Sequence, residues 1–333
     1  MLFLCKSKSF CAQFAALFHH ALQFKPIIMF SLFITAVTLV FAGGPTAIEP
    51  AEASSTPQDS LNRVDAVLPS EYGEVIYRIN EDSPKQLYII GISHRSPESG
   101  KNNDDTVRTQ AEIFRIGEWL NRNNGLELLL PEGYFGSRKD FNASDAFSAG
   151  LDTVRLHEEL ADESRFINAE MLLLEHYDMR ASQVENRKIY DAVLSSLEKL
   201  RKDDLDLSSE AKLDELHFLQ DVRTAMLLQN IPDVIENELV NGTIRRSSAM
   251  FTIGLNHVQD IIRYLDENPV NINVPEAVTS EIEDYRAELD LIKKGYGITI
   301  IIPRTLADNA RLLQVMNLDR IQVAQGDTAA VVH

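Results

Sequence analysis

At 333 residues, 44% apolar and 25% charged, the chain is long enough for one large or two ordinary domains and has the composition of a globular protein with a real core. Its formal charge is -18, and without Lys6, Lys8 and Lys25, the basic residues of positions 1–42, the balance is 29 basic to 50 acidic, or -21. A body of that charge repels phosphate backbones and anionic lipid, which argues against nucleic acid as a partner.

Residues 1–42 read as a targeting segment: lysines, then the uncharged apolar run Pro26 to Ala42, with Val40-Phe41-Ala42 offering small residues at the positions a signal peptidase reads. The run, about 17 residues, lies at the lower edge of what spans a bilayer, so membrane attachment through residues 26–42 is the alternative to a cleaved signal peptide. Either way the chain is expected outside the cytoplasm, as a periplasmic, extracellular or membrane-anchored protein. Both cysteines, Cys5 and Cys11, precede the apolar run. The exported part therefore has no disulfide and no thiol nucleophile, and any metal must be held by His, Asp, Glu or carbonyl oxygen.

Residues 43–70 are rich in Pro, Ala, Ser and acid without an apolar period, the pattern of a flexible linker. From Glu74, "EVIYRIN" and "KQLYIIGI" are two strand-like runs separated by "EDSP", which predicts a hairpin. Val107, Ala111, Phe114, Gly117 and Leu120 then recur at helical spacing, with Asp104 and Asp105 available as caps and Asn123-Asn124-Gly125 as a stop. "LELLLPEG" (126–133) reads as a buried strand followed by a loop carrying Glu132, completing a strand-helix-strand crossover.

The stretch from about 150 to 245 is mostly helical, with a short strand expected in "DMRASQVEN" (178–186) ending at Glu185. "SAMFTIGLNH" is the next strand, and helical spacing follows in Val258, Ile261, Ile262 and Leu265. "GITIII" (297–302) is a last strand stopped by Pro303. Strands alternating with helices predict a single α/β domain over 71–320, with a partly parallel central sheet, a helical insertion at about 150–245 and a disordered tail at 321–333. Asn142-Ala-Ser and Asn241-Gly-Thr fit the glycosylation sequon.

In open α/β sheets ligands sit outside the carboxyl ends of the strands. His94, Glu132, Glu185 and His257 all fall just past such ends. Two of them close a Gly-x-x-His motif, "GISH" and "GLNH", where chance supplies roughly 0.4 matches from 15 Gly and 8 His. The glycine lets the chain turn sharply off the sheet and lets another backbone approach. His257 begins a helix that Asn256 is placed to cap, and the positive end of a helix favours a neutral ring that binds metal or accepts a proton. Two histidines and two carboxylates are a plausible first shell for Zn, Mn or another divalent ion, and a metal-activated water with a glutamate base gives hydrolysis. Against this stands the plainer reading that a histidine after a strand caps or hydrogen-bonds a loop. His157, His176 and His217, in amphipathic helices, read as surface or packing residues.

In chain order, the strand leading to Gly91 and His94, the strand leading to Glu132 and Gly133, Val184-Glu185-Asn186, and the strand leading to Gly254 and His257 resemble the TraB/Tiki, erythromycin-esterase and ChaN-like superfamily over about 74–303. That family includes metal-dependent peptidases, an esterase that opens macrolide lactones, and haem-binding lipoproteins. The resemblance implies an α/β core with a pocket lined by His and Glu. It implies a metal set of His94, His257 and Glu132 for Mn, Co or Zn, with Glu132, Glu185 and an arginine in catalysis. Both Arg180 and Arg187 are placed to be that arginine, and Arg180 is carried as the candidate. The segment Ser182 to Glu185 lacks the glycine that often precedes the family's third position. The expectation is a metal-dependent hydrolase of peptidase or esterase type acting on a small-molecule or peptide substrate. The alternative is a non-catalytic haem or small-ligand binding protein of the cell envelope.

Overall fold

Runs that are apolar without alternation become the middle of the sheet. Every residue of Leu87 to Ile90, Ala249 to Ile253 and Tyr296 to Ile302 is buried, as strands covered on both faces must be. A computed structural model of the chain describes residues 67–93, 103–136, 151–162, 167–177, 179–202, 208–276 and 283–319. They form an α/β fold around a six-stranded mixed sheet of β1 (Gly73–Ile79), β2 (Lys85–Ile92), β3 (Leu128–Pro131), β4 (Arg180–Ala181), β5 (Ser248–Gly254) and β8 (Tyr296–Pro303). The spatial order is β1-β8-β2-β5-β3-β4. Only β1 runs antiparallel to its neighbour; the remaining pairs are parallel. A separate ribbon pairs β6 (Val270–Ile272) with β7 (Tyr285–Ala287).

The hairpin expected of the first two strands does not form. A turn is present, with Ser83 N–H donating to Asn80 O at 3.0 Å, yet β8 lies between β1 and β2. Burial explains the order: all eight residues of β8 are buried and need neighbours on both edges, whereas β1 buries only Gly73 and Ile76 and tolerates the sheet edge.

Helix α1 (Asp104–Asn124) links β2 to β3. Its cap is Asn103, whose Oδ1 accepts from Thr106 N at 2.7 Å, and not either of the aspartates that follow. It ends at Gly125, whose φ of +66° lies in the left-handed region that glycine adopts without strain. With α2 (Thr153–Ala161) and α3 (Ala169–His176) it covers one face of the sheet, while α4 (Arg187–Lys202), α5 (Ser208–Val240) and α6 (Val258–Asp266) cover the other. Strand alternation divides β2 between the two cores: Leu87 and Ile89 face the α4–α6 side, Tyr88 and Ile90 the α1–α3 side. Short helices α7 (Asp290–Lys293), α8 (Arg304–Ala307) and α9 (Ala310–Val315) complete the described chain.

Residues 67–70, inside the stretch read as a linker, pack on the domain: Leu68 is buried and Ser70 O accepts from Arg304 Nε at 2.7 Å. The apolar run 26–42 and the tail 321–333 lie outside the described residues, among which no helix is long and apolar enough to cross a membrane.

The crossovers from β2 and β5 diverge. From β2 the chain leaves over one face through α1 toward β3, and from β5 it leaves over the other through α6 toward β8. Adjacent parallel strands with diverging connections open a crevice at their carboxyl ends. Both Gly-x-x-His motifs start there, since Gly91 pairs with Ile253 and Ile92 with Gly254. The 3-10 turn Leu255–His257 rests on Gly91, where an added Cβ would stand 2.9 Å from Leu255 Cδ1 and 3.1 Å from Val258 Cγ2. The close approach expected of this glycine is thus the packing of the turn that carries His257. Replacing it should overpack that contact, at about 1 kcal/mol for Gly91→Ala and about 3 kcal/mol for Gly91→Val. Urea unfolding with an unchanged slope checks this, and a Val variant as stable as the parent would show that the turn does not depend on position 91.

Candidate functional site

Three segments bring charge to the carboxyl rim of the sheet. Pro131 closes β3, and Glu132 N–H still donates to Thr252 O of β5 at 2.9 Å, which fixes where the glutamate begins. Gly133, at φ +70°, then turns the chain away. Beyond the two-residue β4, Ser182 N–H donates to Leu129 O at 3.0 Å, so the chain to Glu185 follows β3 to the same rim. Helix α5 crosses above and inserts Arg223 between the two glutamates.

The guanidinium engages both carboxylates. Its Nε and Nη2 donate to the two oxygens of Glu185 at 2.9 and 2.6 Å, a bidentate pairing, and Nη1 donates to Glu132 Oε1 at 2.7 Å. Backbone completes the set: Gly133 N–H donates to Glu185 Oε2 at 3.1 Å and Gly254 N–H to Glu132 Oε2 at 2.6 Å. The side chains of Arg223, Glu132 and Glu185 are only 7, 9 and 0% exposed, so these are ion pairs in a low-dielectric setting. Burial alone would lower the Arg223 pKa, but the hydrogen bonds and charges of Glu185 and Glu132 hold it well above its ordinary value, and the residue stays cationic.

His257 stands beside this triad with 6% of its side chain exposed and its Nε2 3.7 Å from Glu132 Oε1. Its Nδ1 lies 2.8 Å from the Thr224 hydroxyl, which is also 2.8 Å from Gln220 O. An aromatic wall closes one side: the Tyr190 ring lies 5.2 Å from the Arg223 guanidinium carbon and meets Phe135 edge-on at 4.9 Å, while Arg187 stacks over Phe135 at 3.5 Å.

Of the residues singled out from sequence, Glu132, Glu185 and His257 come together. Arg180 does not join them. It pairs with Leu128 at the amino end of β4, the rim opposite Glu132, and its Nη1 donates to Glu238 Oε2 at 3.1 Å near the end of α5. Arg187 lies in the aromatic wall. His94, in the motif after β2, lies outside the described residues. Asn256 is no cap: it lies inside the 3-10 turn, and the N-cap position of α6 is His257 itself, whose side chain bonds Thr224 and does not cap the helix.

The arginine of the site is Arg223, and with Thr224 it escaped the sequence reading because α5 reads as one more amphipathic helix. The signal was its company, since Val222, Arg223, Thr224 and Ala225 are four successive buried positions. A charged residue where the helix is buried nearly all round needs a charged partner.

Of the expected metal set His94, His257 and Glu132, only His257 and Glu132 lie among the described residues. Among the described residues no three His, Cys, Asp or Glu side chains converge to hold a divalent ion. Arg223 Nη1 already places a cation on Glu132 Oε1, the carboxylate oxygen paired with the imidazole. No protein-family model, curated protein or solved structure matches the chain.

On the seam between α5 and α6, Arg263 Nη2 lies 2.7 Å from Asp260 Oδ1 and 3.8 Å from Asp221 Oδ2. Burial, and then repulsion from Asp260, pushes Asp221 up to about 6 against the pull of Arg263 and the Tyr264 hydroxyl.

Two outcomes are expected. Arg223→Met leaves two buried carboxylates uncompensated and should cost about 3 to 5 kcal/mol in urea unfolding. An equally stable Met variant would contradict the triad. For Asp221 the folded pKa exceeds the unfolded one, so its contribution to stability is complete below about pH 4 and is lost as pH rises through about 6. Because the side chain is one-third exposed, the difference between Asp221→Asn and the parent should grow in favour of the variant by only about 1 kcal/mol between about pH 4 and about pH 8. A pH-independent difference would mean that Asp221 titrates normally.

Proposed function

We propose that the chain is an exported hydrolase of peptidase or esterase type, which cleaves a small-molecule or peptide substrate in the crevice at the carboxyl ends of β2, β5 and β3. His257 is its general base and Glu132, fixed by Arg223, is the carboxylate that stabilises the charged ring. The supporting observation is the 3.7 Å approach of His257 Nε2 to a Glu132 oxygen that Arg223 holds in place, inside a buried site at a topological switch point. The resemblance to the TraB/Tiki, erythromycin-esterase and ChaN-like superfamily supports hydrolysis of the same bond classes, and implies in addition a divalent ion held by His94, His257 and Glu132.

In this reading Nε2 takes a proton from water as the water oxygen bonds to the acyl carbon. The imidazolium forms next to Glu132. Its proton then passes to the leaving nitrogen or oxygen as the C–N or C–O bond breaks, returning the ring to its neutral form. Arg223 remains protonated throughout and keeps Glu132 in place. The tautomer that exposes a lone pair at Nε2 is therefore a requirement of the mechanism.

Ester and peptide-bond substrates, assayed with and without added Mn, Co or Zn, test this. Turnover is expected in the parent, with a fall of roughly 10²- to 10⁴-fold in His257→Ala and in Glu132→Gln. No turnover under any of these conditions, together with a haem absorption band that His257→Ala abolishes, would replace hydrolysis by ligand capture.

A further inference from the structure

Thr224 and His257 share a hydrogen bond whose direction the neighbouring atoms decide. The Thr224 oxygen is 2.8 Å from two partners, Gln220 O one turn back on α5 and His257 Nδ1. A hydroxyl has one proton, and a backbone carbonyl accepts but never donates. The contact with Gln220 is a hydrogen bond only if Thr224 donates to it. The opposite arrangement, with the hydroxyl proton aimed at Nδ1, would set two oxygens 2.8 Å apart with no proton between them, inside a helix where Thr224 is fully buried. With its proton committed to Gln220, the hydroxyl accepts from His257 through a lone pair, so Nδ1 carries the ring proton.

We infer that Thr224 is a positioning residue that holds His257 in its Nδ1–H tautomer, leaving the basic lone pair at Nε2 on the side of Glu132. A neutral histidine carries one ring proton, and the hydrogen bond at one nitrogen sets the state of the other. The hydroxyl is itself locked by a backbone carbonyl of α5, so the ring depends on a main-chain atom through one side chain. The inference deepens the hydrolase reading, since a base at Nε2 needs this tautomer. The tautomer itself is measured without any substrate.

The experiment is 15N NMR of the histidine rings of the full chain at a pH where they are neutral, with His257 assigned by comparison with His257→Asn. In the parent, the Nδ1 resonance of His257 should fall in the protonated, pyrrole-type range and Nε2 in the bare, pyridine-type range. Thr224→Val keeps the shape and removes the acceptor, so its His257 should move toward the Nε2–H form, while Thr224→Ser should restore the parent pattern. If the chain hydrolyses an ester or peptide, kcat should fall roughly 10- to 100-fold in Val and recover in Ser, the effect typical of groups that orient an active imidazole. A parent in the Nε2–H form, or a Val variant with an unchanged tautomer, overturns the inference. Failure to find a substrate would count against hydrolysis and leave the tautomer result standing.

Discussion

A cation buried between two carboxylates is stable only while all three are present, because removing one leaves charge in a medium that cannot solvate it. That constraint governs the carboxyl rim of this sheet. Glu132 arrives from β3, Glu185 from the segment after β4, and Arg223 from a helix 38 residues beyond Glu185. Held by Arg223 and by the amides of Gly133 and Gly254, each carboxylate oxygen has a donor, so the segments that carry them are fixed in relation to β5 as well as to each other. His257 inherits its surroundings from this arrangement.

The elements of the fold were largely legible in the sequence, and their neighbours were less so. Continuous apolar runs marked β2, β3, β5 and β8, and helical spacing with Gly125 marked α1, because those signals are local. Strand order is not local. The short link between β1 and β2 suits a hairpin, and only the burial of all eight residues of β8 between them explains why the two strands are apart. Cap positions were off by a residue or two for a similar reason: Asn103 and Asp104 both carry a capping oxygen, and which one serves depends on where the chain enters the helix.

At the site, residues that follow strand ends could be found from sequence because the strand itself supplies the direction. Glu132, Glu185 and His257 belong to that class. Arg180 was an attractive candidate by its proximity to Glu185 in the chain, but five residues along an extended segment carry it to the opposite rim of the sheet. Arg223 and Thr224 come from a helix that crosses the rim, and nothing in the period of a helix says which turn will pass over a distant strand. What the sequence did hold was an arginine beside an apolar run, Ala225 to Leu228, a demand for a partner without the partner's name.

Helix α5 contributes Arg223 and Thr224 as consecutive residues, and this adjacency ties the fold to the chemistry. Side chains at consecutive helix positions diverge by about 100°, so the two cannot serve a single partner. They serve two: Arg223 reaches the carboxylates that end β3 and follow β4, and Thr224 reaches the imidazole that follows β5. The apolar residues on either side, Val222 and Ala225, would tolerate small rotations of the helix, since dispersion contacts are not directional. The hydrogen bonds would not. A rotation large enough to break either set would cost directional bonds, so this polar pair fixes the angle of the helix against the strand ends that carry Glu132 and His257.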